Sequence, residues 1–191
     1  FLYGGDNWPY GAMCERQRRK GVYASQYLTP DHTARQMAAL AMRYFDNDSR
    51  IVDACCGTGQ LTRALLLEGV HPSAILGFDA DAELVDLYER LYPDAAALRM
   101  QFREIDFHCE NVIANPPFEV PECTVFLQWL SRIQCSGDRA VLLLPSGFID
   151  KQRPRSVQET MRHFIVHHRI PMQEPFARTN CRAEIVMLER V

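Results

Sequence analysis

Residues 50–59 read Arg50-Ile51-Val52-Asp53-Ala54-Cys55-Cys56-Gly57-Thr58-Gly59, and this stretch decides the fold. Residues 50–54 form a short apolar run, the pattern of a buried strand. A glycine turn follows, and residues 60–67 carry helical spacing. A strand passing through a tight turn into a helix is the repeating unit of a parallel sheet. Without a Cβ at Gly57 and Gly59, backbone can approach a ligand closely. Thr62 stands where a dinucleotide fingerprint needs its third glycine, so a pyrophosphate is poorly served. Alone, the turn is a weak signal, with a tight strand–helix connection that does no chemistry as the alternative.

Working outward, strand-like and helix-like segments alternate. Residues 75–79 read as the second strand, and a helix over 82–91 ends before Pro93. Residues 98–102 alternate as a third strand and 112–114 as a fourth. A helix over 123–133 closes before Gly137, and a fifth strand over 140–144 stops at Pro145. A helix over 156–163 precedes two strands, 164–172 and 183–189, expected as an antiparallel pair. Upstream, a helix opens at Thr29-Pro30-Asp31, with Thr29 as the expected N-cap. Residues 1–28 read as an extended arm and 29–191 as the domain. The expected architecture is α/β: a three-layer sandwich around a mostly parallel seven-stranded sheet with an antiparallel terminal hairpin. Right-handed crossovers bring the loops after strands one to four to one edge, where such sheets bind ligands.

The chain has 191 residues, 47% apolar and 24% charged, which suits one globular domain and argues against disorder. No apolar run approaches the ~18 residues of a membrane span, so no membrane partner is expected. The chain opens at Phe1 rather than Met, so a trimmed or partial chain is expected. Seven cysteines are an odd number without Cys-x-x-Cys spacing. That disfavours a disulfide framework or a zinc cage and predicts reduced thiols in a cytoplasmic protein. Neither His163 nor His167-His168 has acid–His spacing, and no metal is expected. The formal charge of −3 is uneven. Residues 51–150 carry 6 basic and 15 acidic groups, whereas 151–191 carry 8 and 4. An acidic middle does not suit non-specific wrapping of nucleic acid, although basic ends permit a rim. Arg16-Gln17-Arg18-Arg19-Lys20 reads as a solvated turn, against phosphate contact as the alternative.

Three further segments fall on the ligand edge. Asp79 ends the second strand, where a carboxylate can accept both hydroxyls of a ribose; Asp81 is better placed to cap the next helix. Ile105-Asp106-Phe107 follows the third strand. Asn115-Pro116-Pro117-Phe118 follows the fourth. Two prolines fix the chain there and remove two backbone donors. What remains is an acceptor set, the Asn115 side-chain oxygen and the Pro116 carbonyl, beside the apolar face of Phe118. That suits an amino group on a planar system.

Asp53-x-x-Cys56-Gly57-Thr58-Gly59 followed by Asn115-Pro116-Pro117-Phe118 resembles the S-adenosylmethionine-dependent amino-methyltransferases, especially the N6-adenine DNA methyltransferases. Thr29-Pro30 resembles the segment preceding the cofactor motif in their gamma arrangement, Asp106-Phe107 their acid–aromatic pair, and Pro145-Ser146-Gly147-Phe148 their strand-five end. The resemblance implies S-adenosylmethionine as cofactor. It implies Thr29 and Pro30 at its methionine end, and Asp53, Cys56, Gly57 and Gly59 lining its pocket. Asp79 would hold the ribose, Asp106 the adenine amino group, and Phe107 would pack on that ring. Asn115 and the Pro116 carbonyl would accept from the target amine, with Pro117 stiffening the loop and Phe118 stacking on the target base. Cys55 departs from the family's usual residue and reads as small core.

The resemblance implies a DNA partner, with RNA or a protein glutamine amide as alternative targets. A non-catalytic module that keeps the fold for assembly stays open as a further reading. Such DNA enzymes usually carry a target-recognition domain, for which this chain leaves no room. A separate domain or subunit is therefore expected to supply recognition, unless the substrate is not duplex DNA. Restriction-modification, a mobile element and epigenetic marking are all compatible settings.

Overall fold

The structure, a computed structural model, describes residues 27–46, 48–150, 155–173, 176 and 181–191. Helix α1 (Asp31–Tyr44) comes first. It is followed by β1 (Ile51–Ala54), α2 (Gln60–Leu67), β2 (Ile75–Asp79), α3 (Ala82–Leu91), β3 (Ala96–Arg99) and β4 (Asn111–Ala114). Helix α4 (Val120–Ile133), β5 (Arg139–Pro145), α5 (Arg155–Met161), β6 (Phe164–Pro171) and β7 (Ala183–Arg190) complete the order. Seven strands form one sheet in the order β3-β2-β1-β4-β5-β7-β6. The first five in that order are mutually parallel. β7 runs antiparallel to both β5 and β6, so the closing strand is inserted beside β5 rather than added at the edge.

Strand periodicity sorts the core onto two faces. Ile51, Ile75 and Ile113 pack with Met37, Leu65 and Tyr88 from α1, α2 and α3. Their neighbours Val52, Phe78 and Val112 pack with Phe126, Trp129 and Leu130 from α4. Helices on both faces explain why the inner strands β1, β2, β4 and β5 read as largely apolar runs rather than alternating ones. Complete burial of a side chain such as Leu65 or Phe126 contributes about 1.5–3 kcal/mol. β1 sits between β2 and β4, so strand order reverses there, and the carboxyl ends of β1 and β4 are where sheets of this kind bind ligands.

Local details differ from the sequence reading. Pro30, not Thr29, stands at the N-cap of α1, and no side chain caps that helix. The Thr29 hydroxyl is occupied by a residue far along the chain, Asn115. The third strand is Ala96–Arg99 rather than 98–102. Residues 102–104 turn as a 3-10 helix because Phe102 is drawn into the α4 layer, edge-on to Phe126 and Trp129. Helix α4 starts at Val120, before the expected 123, with Pro121 in its first turn, where no N–H is missed. The arm up to residue 26, with Arg16–Lys20, lies outside the described residues, as do 151–154.

Candidate functional site

Three residues of the turn after β1 have positive φ: Cys55 at 59°, Gly57 at 54° and Gly59 at 80°. The turn is held by Cys56 N–H donating to the Phe78 carbonyl at 3.0 Å and Gly59 N–H to the Cys56 carbonyl at 2.8 Å. The two glycines serve different ends. A Cβ on Gly59 would stand 2.3 Å from Cε2 of Tyr92, so packing requires glycine there. A Cβ on Gly57 would meet no atom of the described residues within 4 Å, so among them that turn faces open space. Cys55 is half-buried against the α4 face, and its left-handed backbone is a feature the sequence did not announce. Cys56 is buried. Burial pushes both thiols well up, so neither is a thiolate nucleophile.

Two carboxylates stand beside this turn. Asp53 on β1 is buried; one oxygen accepts the Thr62 N–H at 3.0 Å and the Thr62 hydroxyl at 2.7 Å. The Tyr88 hydroxyl lies 2.8 Å from that same Thr62 hydroxyl, and the second Asp53 oxygen is buried with no partner. Burial pushes the Asp53 carboxyl up to about 7 against the pull of those hydrogen bonds. Asp79 ends β2 and accepts the Gly57 N–H with one oxygen and the Asp81 N–H with the other, both at 3.0 Å. Burial raises its carboxyl too, partly offset by those N–H groups. Asp81, as expected, is the residue that caps α3, accepting from Glu83 N–H at 2.9 Å.

Asn115 follows β4 directly. Its amide nitrogen donates to the Tyr27 carbonyl at 2.6 Å and to the Thr29 hydroxyl at 3.1 Å. Its oxygen is buried and has no partner among the described residues. Pro116 is buried, and the Pro117 carbonyl accepts the Cys123 thiol at 2.9 Å, pinning the loop to the first turn of α4. Phe118 is not a free plate: it is 8% exposed and packs with Tyr27 and Phe176, ring centroids 5.6 and 5.1 Å away. Tyr27 and Phe176 complete the triangle at 5.1 Å. Phe176 lies between β6 and β7, and the sequence reading missed it. An aromatic in a Pro-containing loop near the end of the chain was the only signal for it.

Asp106 and Phe107 are not at the carboxyl end of β3, which corrects their expected place. The Ile105 carbonyl already accepts from Trp129 Nε1 at 3.0 Å, and Cys109 N–H reaches the Ile133 carbonyl at the far end of α4. The stretch between is returning toward the opposite edge, and both side chains are exposed there. Met100 and Gln101 occupy the position beside Asp79, since Met100 N–H donates to the Asp79 carbonyl at 3.0 Å. The misplacement follows from reading the third strand as ending at 102 instead of 99.

Other features border the site or lie away from it. The Gly147 N–H donates to Glu184 at 3.0 Å, and Arg169 pairs with Glu184 and Asp150, bracing the loop after β5. Among the described residues, ligand atoms of His108, Cys135 and Asp138 lie within 4.8 Å of one another at the opposite edge. There Asp138 is engaged by His108 and by the Cys135 N–H. No described helix is long and apolar enough to cross a membrane.

No family model and no curated protein matches the chain. Solved structures do. PH1948 from Pyrococcus horikoshii, described as a candidate RNA methyltransferase, aligns with a TM-score of 0.70 at 22% identity, covering 89% of this chain and 87% of its own. Magnesium protoporphyrin IX methyltransferase (ChlM) from Synechocystis PCC 6803, solved with bound S-adenosylmethionine, aligns at 0.68 with 13% identity over 100% and 88%. The type IIG restriction endonuclease BpuSI aligns at 0.69 with 15% identity over 91% of this chain and 26% of its own. At these identities the likeness concerns architecture. The chain has the fold of the class I S-adenosylmethionine-dependent methyltransferases.

Proposed function

We propose that residues 29–191 transfer a methyl group from S-adenosylmethionine to an exocyclic amino nitrogen, with adenine N6 in DNA as the foremost target. One observation carries the reading: a buried Asn115 oxygen without a partner, beside a Pro-Pro loop, at the edge where a glycine turn faces open space.

The residues present fit the cofactor. The turn at Gly57 leaves room for it, and Asp79, which accepts the Gly57 N–H, supplies a carboxylate beside that turn; Asp53 is buried and braces α2 through Thr62. Pro30 and Cys56 are assigned to the cofactor on the resemblance alone, while the Thr29 hydroxyl is engaged by Asn115. The adenine edge falls to Met100 and Gln101 rather than Asp106 and Phe107. When bound, the cofactor supplies an electrophilic methyl on a sulfonium. The protein's part is to prepare the nucleophile. An aromatic amine attacks poorly because its lone pair is delocalised into the ring. Acceptance of its two N–H groups by the Asn115 oxygen and the Pro116 carbonyl favours a pyramidal nitrogen and aims the lone pair. Alignment then supplies much of the rate. Phe118 and Phe176 are buried against one another, so half-buried Tyr27 would be the ring of this cluster that meets a flat base. A base in duplex must be turned out of the stack to arrive, at a cost of a few kcal/mol.

RNA is the second reading, favoured by the likeness to PH1948. A protein glutamine amide offers the same N–H pair. A separate domain or subunit would supply target recognition. The test is competition for tritiated methyl among single-stranded and duplex DNA, RNA and a glutamine peptide. Preferential label in adenine of DNA is expected. Label confined to RNA or peptide would reassign the substrate, and calorimetry showing no cofactor binding would leave a non-catalytic module.

A further inference from the structure

We propose that Thr29 is a positioning residue that locks the Asn115 amide, so that the site presents only acceptors and selects an amino group over a carbonyl. The proposal rests on the methyl-transfer reading above for its kinetic consequence, but the lock itself is a matter of hydrogen bonds.

A primary amide has two N–H donors and one carbonyl, and it can rotate to exchange them. At Asn115 the exchange is blocked. The Tyr27 carbonyl can only accept, so at 2.6 Å it must face the amide nitrogen. The second N–H is taken by the Thr29 hydroxyl at 3.1 Å. Both donors are then spent on one side, and the oxygen is left buried on the other with no protein partner. Thr29 is 4% exposed and makes no cap for α1, although it directly precedes the Pro30 N-cap. Its hydroxyl therefore has a task other than starting the helix.

The consequence is chemical selection. Pro116 and Pro117 have no N–H, so neither residue offers a backbone donor beside the Asn115 oxygen. An incoming amino group meets acceptors. An incoming ring carbonyl meets lone pairs of its own sign, and the amide cannot turn to offer it an N–H while Thr29 and Tyr27 hold it. Without Thr29 the amide is held by the Tyr27 carbonyl alone; its second N–H is set free, the restraint on the amide plane loosens, and the distinction weakens. Tyr27 contributes through its backbone, which no side-chain substitution removes, so Thr29 is the member of the lock that can be tested.

Thr29→Val keeps the shape and deletes the hydroxyl. The expected result is a kcat lower by about tenfold, the loss of one hydrogen bond, with S-adenosylmethionine affinity unchanged. Thr29→Ser should restore kcat nearly to that of the unaltered chain. An unchanged kcat, or a loss expressed wholly as weaker cofactor binding, would overturn the proposal and return Thr29 to a cofactor contact. NMR exchange of the Asn115 side-chain amide protons separates this from the functional reading. Thr29→Val should speed their exchange with water even if the unaltered chain methylates nothing tested. Absent methyl transfer would retire the functional reading alone; unchanged exchange would retire the lock.

Discussion

Asp79 accepts the backbone N–H of Gly57 at 3.0 Å, tying the end of β2 to the turn after β1. Its other oxygen is held by Asp81 N–H, so the backbone orients the whole carboxylate. Bonds of this charged kind are each worth about 1.5–3 kcal/mol. Asp79→Ala is therefore expected to weaken S-adenosylmethionine binding by tenfold or more, in the range of about 1.4 kcal/mol and above. Calorimetry checks it; equal affinity would remove Asp79 from the cofactor site.

The two turn glycines should respond differently. Gly59→Ala places a methyl 2.3 Å from the Tyr92 ring at a φ of 80°. Overpacking and strain together are expected to cost about 2–4 kcal/mol in urea unfolding. Gly57→Ala meets no protein atom and should lose only about 1–2 kcal/mol through its backbone. It should nonetheless impair cofactor binding more than Gly59→Ala does. Reversal of that order would mean the open space is not the cofactor's.

Asp53 predicts a pH dependence. Its folded carboxyl titrates at about 7, whereas an unfolded one titrates near about 4. Between those values the folded state holds a proton that the unfolded chain has lost. Stability is therefore greatest below the lower value and declines as pH rises toward the upper one, by at most about 1.4 kcal/mol per pH unit. Asp79 shifts in the same direction, so Asp53→Asn should flatten the decline without abolishing it. Denaturation curves between pH 4 and pH 8 decide this. A mutant whose decline is as steep as the original would show that Asp53 ionises freely.

Gln101 and Asp106 compete for one role. Gln101→Ala is expected to weaken cofactor binding several-fold, while Asp106→Ala leaves it unchanged. The opposite outcome would restore the acid to the adenine edge.

Much of this was legible in residues 50–59 and 115–118, because a strand, a glycine turn and a Pro-Pro loop are local constraints. The two-faced core was legible because the inner strands β1, β2, β4 and β5 are largely apolar and buried, as helices on both sides require. What escaped was decided at long range. Thr29 looks like an N-cap by its neighbours, yet its hydroxyl is taken by Asn115, 86 positions on. Phe102 continues the alternation of β3, yet Phe126 and Trp129 pull it out of the sheet. Phe176 meets Phe118 only because β7 folds back beside β5.

In the proposed reaction the Asn115 oxygen receives the amine to be methylated. The most direct test is tritiated methyl transfer to adenine-containing DNA by the original chain and by Asn115→Ala, with cofactor affinity measured on both. The expected outcome is N6-methyladenine from the original chain and a rate lower by about a hundredfold or more in the variant, with cofactor binding retained. Equal incorporation by the two proteins would contradict it.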